Sequence, residues 1–285
     1  MSRASLRQLW NSLFAAVVRE RQSRYLGRYY QTFLFPNLDG ALGSGRSADA
    51  LVPLLIDMLH PKSVVDFGCG AGSWLAALED LGIHDVLGVD GPHLDRRYLR
   101  IDPSKVLTAD LSDSPRLNRR FDVALCLEVA GYIPPPSGEN LIRTLTDAAP
   151  VIVFSAPIPS QDDDRVQVNQ QWPDYWSKLF ASKDFVPVDC IRKRIWSDSR
   201  ISWWFRQNIV LYVHKEHLAT QEAFRNVRGK QAEPPMRLVH PQHYAQIKAE
   251  LRQGLLRQTL KRVLPHWIKA LIGSAKRKFN ETRRS

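Results

Sequence analysis

The chain has 285 residues, which is long enough for one sizeable α/β domain with appendages and too short for two full catalytic domains. Its hydrophobic fraction of 44% and charged fraction of 24% are those of an ordinary globular protein. The net charge of +11 is uneven, because ten Lys or Arg and two Glu give residues 250–285 a charge of +8 and leave +3 for the first 249 residues. Three isolated cysteines argue against a zinc site or a disulfide framework and fit a reducing cytosol; they are Cys69, Cys126 and Cys190.

The first 47 residues are expected to form a helical leader or cap. Residues 5–24 show a helical pattern, and Asn11 and Ser12 interrupt the apolar run that would otherwise resemble a signal peptide. Charged residues 19–21 stand where a cleavage site would be expected. We interpret the segment as an amphipathic helix, followed by a helix over residues 48–59. No stretch of the sequence approaches the ~20 apolar residues of a membrane span.

Residues 63–74 read Ser-Val-Val-Asp-Phe-Gly-Cys-Gly-Ala-Gly-Ser-Trp. The pattern predicts a strand, a tight loop and a helix whose first N–H groups can bind a carboxylate or phosphate. Glycines at positions 68, 70 and 72 permit positive φ and let a ligand approach the backbone closely. Because the third glycine comes one residue earlier than in the dinucleotide pattern G-x-G-x-x-G, the spacing argues against NAD.

Two further predicted strands end in acids. Residues 85–91 form the second strand, and Asp90 lies 24 residues after Asp66, about the interval at which nucleotide-binding α/β units place a carboxylate on the ribose hydroxyls. The alternative is an Asp that merely ends a strand and begins a turn. Residues 105–111 form the third strand with Asp110 near its end, where helix capping is the competing role.

The glycine loop resembles motif I of the class I S-adenosylmethionine-dependent methyltransferases. After the predicted fourth strand, residues 121–126, the run Cys-Leu-Glu-Val-Ala at 126–130 matches a group of bacterial methyltransferase-domain proteins that read Cys-Leu-Glu-Val-Ala-Glu-His. Here Gly131 and Tyr132 replace Glu-His. The resemblance implies S-adenosyl-L-methionine as cofactor, with Asp110 receiving the adenine amino group and Leu111 packing on the ring. The implied cofactor-binding residues are Asp66, Gly68, Cys69, Gly70, Gly72, Asp90, Asp110, Leu111 and Glu128.

Three later runs resemble the same bacterial group. Residues 166–176 resemble Gly-His-Val-Asn-Glu-Gln-Trp-Pro-x-Tyr-Trp, with Gln167 in place of the histidine and Gln170 in place of the glutamate. Residues 192–196 match Arg-x-Arg-Ile-Trp, and residues 203–208 match Trp-Trp-x-Arg-Gln-Asn. We expect an aromatic and basic loop from Arg194 to Arg206 to form an acceptor wall, while a Trp pair that covers the end of the sheet is the alternative. The predicted substrate-binding residues are Asn169, Trp172, Trp196, Trp203, Trp204 and Arg206.

Strands are also predicted over residues 150–157, 185–191 and 208–213, the last two as closing antiparallel strands, with a helix over 172–182. Seven strands alternating with helices predict an α/β fold, a doubly wound Rossmann-like methyltransferase sheet with a reversed last hairpin. The cofactor-binding domain is expected to span residues 48–215. The ligand should lie at the carboxyl ends of the first and fourth strands, where the strand order reverses.

Transfer of a methyl group to a hydroxyl acceptor needs a base, and the histidine of the bacterial group is the natural one. Gln167 leaves that role vacant; the weak candidates are Asp163, Asp164 and Tyr132. The resemblance implies O-methylation of a small-molecule or glycan acceptor, and the missing base favours an acceptor that reacts by proximity. The alternative is a cofactor-binding but catalytically weakened pseudo-methyltransferase that acts as a membrane-associated adaptor, and an RNA methyltransferase ranks third.

Residues 216–285 are interpreted as a linker and a basic amphipathic tail, with a hinge at Pro234 and Pro235 and a helix over 240–262 that Pro265 kinks. Residues 250–285 suit an anionic membrane surface, and docking on the domain or on a partner is the alternative. Nucleic acid is disfavoured because the near-neutral body offers no basic track. The expected location is the cytoplasm, with peripheral attachment to the inner membrane face.

Overall fold

The computed structural model describes residues 44–161, 167–220 and 236–263. Residues 1–43, the acids Asp163 and Asp164, the predicted hinge at Pro234 and Pro235, and residues 264–285 lie outside the described residues. The chain divides into two compact units, Met1–His240 and Pro241–Ser285.

The first unit is built on a seven-stranded sheet. Its strands are β1 (Ser63–Phe67), β2 (Asp85–Asp90), β3 (Val106–Thr108), β4 (Val123–Leu127), β5 (Val151–Ser155), β6 (Phe185–Val188) and β7 (Val210–His214). The spatial order is β3-β2-β1-β4-β5-β7-β6, with the first five strands parallel and β7 antiparallel to both of its neighbours. The predicted doubly wound sheet with a reversed last hairpin is confirmed.

The sheet is buried on both faces, which explains why its strands are nearly continuous apolar runs. Helices α1 (Ser44–Leu59) and α2 (Ser73–Asp80) pack with Val64 of β1 in one core cluster. Helices α3 (Gly138–Ala148) and α4 (Pro173–Ala181) pack with Val65 of β1 in a second cluster on the opposite face. Alternating residues of one strand therefore fill two separate cores.

Short helices form at both ends of the expected acceptor loop. Helix α5 (Arg192–Ile195) includes its first residues, and helix α6 (Trp203–Asn208) includes its last residues. Helix α7 (Lys215–Thr220) follows β7. Strand β3 is shorter than predicted, because Asp110 Oδ1 accepts a hydrogen bond of 2.8 Å from the Ser112 N–H and begins a 3₁₀ turn instead. The strand therefore ends at Thr108, and Leu111, the last residue of the predicted strand, begins the turn.

The second unit contains α8 (Pro241–Val263), which agrees with the predicted helix over residues 240–262. Two of its apolar side chains, Tyr244 and Leu251, are exposed. Within the described residues, none of the helices is both long and apolar enough to span a membrane.

Gly68→Ala should destabilise the protein much more than Gly82→Ala. Both glycines have positive φ, +79° and +90°, so both variants carry the backbone cost of about 1 kcal/mol. A Cβ at position 68 would lie 2.2 Å from Val129 Cγ2, whereas a Cβ at position 82 meets nothing within 4 Å. We expect a further loss of about 1–3 kcal/mol at position 68 from overpacking, measured by urea unfolding. Equal losses in the two variants would contradict this account of the loop.

Candidate functional site

The candidate site lies at the carboxyl edge of the parallel strands, where β1 has β2 on one side and β4 on the other. Chain connections leave these two strands in opposite directions, so a crevice forms between the loops that follow them. The glycine loop follows β1, Asp90 ends β2, and Glu128 follows β4 directly. The sheet therefore brings three of the predicted cofactor-binding segments to one edge.

The glycine loop is fastened to the end of β2. The Gly70 N–H donates to Asp90 Oδ2 and the Gly91 N–H donates to Asp90 Oδ1, each at 2.7 Å. The Gly68 N–H donates to the Val89 carbonyl at 2.7 Å. Asp90 is almost fully buried, so its carboxylate serves as an internal anchor for the loop.

Cys69 contributes its backbone to this loop, while its side chain is buried among the residues of β2 and α2. The sulfur lies 2.7 Å from where a Cβ on Gly88 would be. Burial raises the pKa of the Cys69 thiol, and the charges of Asp90 and Asp66 raise it further. The thiol is therefore a neutral packing group, and a cofactor contact by its backbone stays a prediction.

Asp66 is a buried carboxyl group near the end of β1. Burial raises the pKa of Asp66 to about 8, and the charge of Asp90 adds to the effect. Its Oδ2 atom is inaccessible and has no hydrogen-bond partner among the described residues. A buried, uncompensated carboxyl group of this kind is costly unless a ligand supplies a positive charge or a donor.

His93 is a residue of the site that the sequence analysis missed. Its Nε2 lies 3.3 Å from Asp90 Oδ1. No pattern in Asp-Gly-Pro-His indicates this contact, because it depends on the turn after β2. The only local signal is Gly91, where a Cβ would lie 2.5 Å from Cε1 of the imidazole.

Asp110 and Leu111 lie beyond the third strand. Asp110 is exposed and caps the 3₁₀ turn, so the competing role foreseen for it is present in the structure. Leu111 is buried in the same core cluster as Val89 and Phe121. Contact of either residue with an adenine ring stays a prediction.

Glu128 lies at the centre of a polar network that joins distant parts of the chain. Gln161 Nε2 donates to its Oε2 at 2.7 Å, and Asn208 Nδ2 donates to its Oε1 at 3.0 Å. Its own N–H donates to the Ser155 carbonyl at 2.9 Å. The Glu128 backbone has φ +60°, a conformation that non-glycine residues adopt at a cost of about 1–3 kcal/mol and that clusters at functional sites. Gln161 and Asn208 were not among the predicted site residues, although Asn208 ends a run that the family resemblance had marked.

The positions that depart from the bacterial group lie together. Gln167 Nε2 donates to the Tyr132 hydroxyl at 3.3 Å, and the Asn169 N–H donates to the Gly131 carbonyl at 3.0 Å. A Cβ on Gly131 would lie 2.3 Å from Pro157 Cγ, so the larger Glu of the bacterial group would not fit here without movement. The turn after β4 and the segment that contains Gln167 and Asn169 therefore pack directly against each other.

Residues 236–240, which we call the strap, belong to the first unit and contact two predicted acceptor residues, Trp172 and Trp196. The Arg237 guanidinium lies 5.5 Å from the centre of the Trp172 ring and forms a bidentate ion pair with Asp174. The His240 ring lies 4.8 Å from that of Trp196. Buried Arg192 also binds the strap, because its Nη1 donates to the Met236 carbonyl at 3.0 Å.

The remaining predicted acceptor residues are engaged in packing. Buried Arg206 donates through Nη1 to the Trp196 carbonyl at 3.0 Å. Trp203 and Trp204 meet edge to face at 5.6 Å, and Trp204 packs against the core cluster of α1 and α2. Asn169 is fully buried with its Nδ2 lacking a hydrogen-bond partner among the described residues. Trp204 thus contributes to core packing, and an acceptor role for any of these residues stays a prediction.

A doubly wound sheet with a glycine loop and acids at successive strand ends defines a nucleotide-cofactor-binding α/β domain. A family model described as a methyltransferase domain matches residues 19–208. The chain belongs to this methyltransferase-domain family, and its predicted membership of the class I S-adenosylmethionine-dependent methyltransferases is confirmed. No curated protein sequence matches the chain significantly.

Several solved structures are similar to this chain. Magnesium protoporphyrin IX methyltransferase (ChlM) from Synechocystis PCC 6803 with bound SAM is 16% identical, with a TM-score of 0.48 over 68% of this chain and 97% of that chain. The sugar N-methyltransferase KedS8 from Streptoalloteichus sp ATCC 53650 is 15% identical, with a TM-score of 0.48 over 61% and 88%. The methyltransferase domain of bacterial CtHen1 is 15% identical, with a TM-score of 0.43 over 59% and 97%.

The residues at the carboxyl edge fit the cofactor of this class, S-adenosylmethionine. The methionine end of the cofactor carries an ammonium group, which is the charge that the buried Asp66 carboxyl lacks. The cofactor also carries a ribose, whose hydroxyls are donors for a carboxylate such as Asp90. Both acids lie beside the loop that the fold opens at the switch point.

Asp66→Asn should change how stability depends on pH. The folded protein holds a proton on Asp66 up to about pH 8, whereas the unfolded chain releases it near the ordinary value of 3.8. The folded state therefore binds more protons, and stability falls as the pH rises from 4 to 8, by up to about 1.4 kcal/mol per pH unit. We expect urea unfolding to show this decline in the wild type and to show it reduced in Asp66→Asn. The exposed Asp49→Asn is the control, and parallel curves for all three proteins would contradict the assignment.

Proposed function

We propose that this protein transfers the methyl group of S-adenosylmethionine to an oxygen of a small-molecule or glycan acceptor. The observation that carries the proposal is the pair of buried acids, Asp66 and Asp90, held against the glycine loop at the switch point of a methyltransferase-family sheet. When bound, the cofactor supplies an electrophilic methyl group on a positively charged sulfur.

The chain's own residues would hold the cofactor from three sides. Asp66 would compensate the ammonium group, and Asp90 would accept from the ribose. Glu128 would border the crevice from β4, where Gln161 and Asn208 fix its carboxylate. Glycines 68, 70 and 72 keep side-chain atoms out of the loop. The other residues proposed for this site are Cys69, Asp110 and Leu111.

The acceptor would enter beside the cluster of Tyr132, Gln167 and Asn169. Half-buried Tyr132 would offer its hydroxyl to the acceptor, and the neutral amides of buried Gln167 and Asn169 would not remove a proton from it. Rate would then come mainly from holding the acceptor in line, for which proximity is worth about 7–11 kcal/mol. This arrangement favours an acceptor oxygen that is already acidic or deprotonated.

A second candidate function is a cofactor-binding adaptor with little transfer activity. It is favoured by the contact between Gln167 and Tyr132, which occupies the place where the similar bacterial proteins carry histidine. In this reading the basic residues 250–285 would attach the protein to an anionic membrane at the cytoplasmic face. Both candidate functions predict that the protein binds S-adenosylmethionine, and they differ in whether the bound cofactor is turned over.

Isothermal titration with S-adenosylmethionine should show binding by the wild type and a loss of about ten- to hundredfold in affinity in Asp90→Asn, the range expected for hydrogen bonds to a charged group. Asp113→Asn, an exposed acid beyond β3, is the matched control and should bind like the wild type. Circular dichroism checks that each variant folds. No heat from the wild type at millimolar cofactor would overturn the proposal.

Gln167→His should raise the turnover of hydroxyl acceptors by at least about tenfold above pH 6.5, because an imidazole beside Tyr132 supplies the missing base. Turnover is measured as S-adenosylhomocysteine formed in the presence of p-nitrophenyl glycosides. Gln171→His places the same ring four residues along and is the control. Equal turnover in the wild type and Gln167→His indicates an acceptor that needs no base. Binding without turnover in either protein supports the adaptor.

A further inference from the structure

A line of hydrogen bonds between buried amides leads from the strap to Glu128. The His240 backbone N–H donates to Gln207 Oε1 at 2.8 Å, and Gln207 Nε2 donates to Asn208 Oδ1 at 3.0 Å. Asn208 Nδ2 then donates to Glu128 Oε1 at 3.0 Å. Because Gln207 and Asn208 are both buried, these bonds lie inside the protein, where they are stronger than in water.

Each end of this line can act in only one way. A backbone N–H only donates, and an ionised carboxylate only accepts. Each side-chain amide between them therefore accepts with its oxygen from the strap side and donates with its nitrogen towards Glu128. Turning either amide over would place two oxygens or two N–H groups against each other. The His240 N–H thus fixes which way both amides point.

Gln161 repeats this arrangement at the other oxygen of Glu128. The Ile158 backbone N–H donates to Gln161 Oε1 at 3.3 Å, and Gln161 Nε2 donates to Glu128 Oε2 at 2.7 Å. The two lines are joined, because Asn208 Nδ2 and Gln207 Nε2 also donate to Gln161 Oε1, at 2.7 Å and 3.3 Å. Both carboxylate oxygens therefore accept from amides whose orientation is set by backbone N–H groups.

Buried Arg192 holds the strap beside Gln207 through contacts that do not use the side-chain amides. Its Nη1 donates to the Gln207 carbonyl at 3.1 Å and to the Met236 carbonyl at 3.0 Å. Its Nε donates to Asp189 Oδ1 at 2.8 Å, which fixes the guanidinium itself. A change of the Gln207 side chain leaves these bonds in place, so its effect can be separated from a loss of the strap.

We infer that Gln207 is a positioning residue of the proposed cofactor site, which transmits the fixed direction of the His240 N–H to the Glu128 carboxylate. The inference rests on the proposed function, in which Glu128 borders the cofactor crevice. Gln207 acts on Glu128 through Asn208 and through Gln161. The strap then supports the cofactor site through its backbone, whatever its side chains contact.

The test is the affinity for S-adenosylmethionine, measured by isothermal titration in a double-mutant cycle. Gln207→Met keeps the length of the side chain but removes its donor and its acceptor, and it should weaken binding about three- to tenfold. In a Glu128→Ala background the same change should have no further effect, because the carboxylate that Gln207 positions is gone. Gln171→Met is the control and should bind like the wild type, since it removes an amide that is bound to Asn169.

A merely structural role for Gln207 would weaken binding equally in both backgrounds, and that result overturns the inference. Unchanged affinity in Gln207→Met also overturns it. If Gln207→Met does not fold, the wild type supplies a second measurement. The His240 amide resonance should move on adding S-adenosylmethionine, while that of exposed Asp57 in α1 should not, and a His240 resonance that stays in place contradicts the inference. Failure of the wild type to bind the cofactor would instead contradict the proposed function.

Discussion

The site depends on how closely the loop after β1 approaches the loop after β4 and the end of β2. Gly68 leaves room for Val129, and the N–H groups of Gly68 and Gly70 are bound by Val89 and Asp90. One backbone bond, one bond to the Asp90 carboxylate and one contact with the Val129 side chain therefore join three neighbouring strands at their carboxyl ends. Because Asp90 is almost fully buried, these contacts hold the loop in place beside Asp66, Asp90 and Glu128, which is the condition for a preorganised site.

The second constraint is the polar network around Glu128. Asn208 Nδ2 donates to Gln161 Oε1 at 2.7 Å as well as to Glu128, and Gln207 Oε1 accepts from the His240 N–H at 2.8 Å. The network thus runs from β4 through the loop after β5 and helix α6 to the strap. A satisfied buried network is rigid, and a partly satisfied one is costly. A change that moves the strap is therefore expected to shift the position of the Glu128 carboxylate.

Much of the fold follows from local patterns in the sequence. Apolar runs that end in Asp66 and Asp90 are strands because a parallel strand is buried on both faces, and this pattern is visible without any tertiary information. Side-chain contacts that depend on turn geometry were not predictable in this way. The pairing of Tyr132 with Gln167 and the position of His93 on Asp90 depend on turns whose directions the sequence does not specify. Asp110 is an example of what the sequence leaves open. Adenine binding and capping were both expected for it, and only the hydrogen bond from the Ser112 N–H shows that it caps a turn.

The buried Asp66 carboxyl shows why such a site opposes stability when no ligand is bound. A neutral residue at this place would cost the fold less, because burial disfavours the charged form and the nearby Asp90 disfavours it further. A cation bound beside Asp66 reverses this balance by favouring the ionised carboxylate. Binding then releases a proton below about pH 8 and stabilises the folded state, since a ligand that binds only the native state shifts the folding equilibrium towards it. The cost of burying Asp66 and the attraction of its ionised carboxylate for a positive charge thus have the same physical origin.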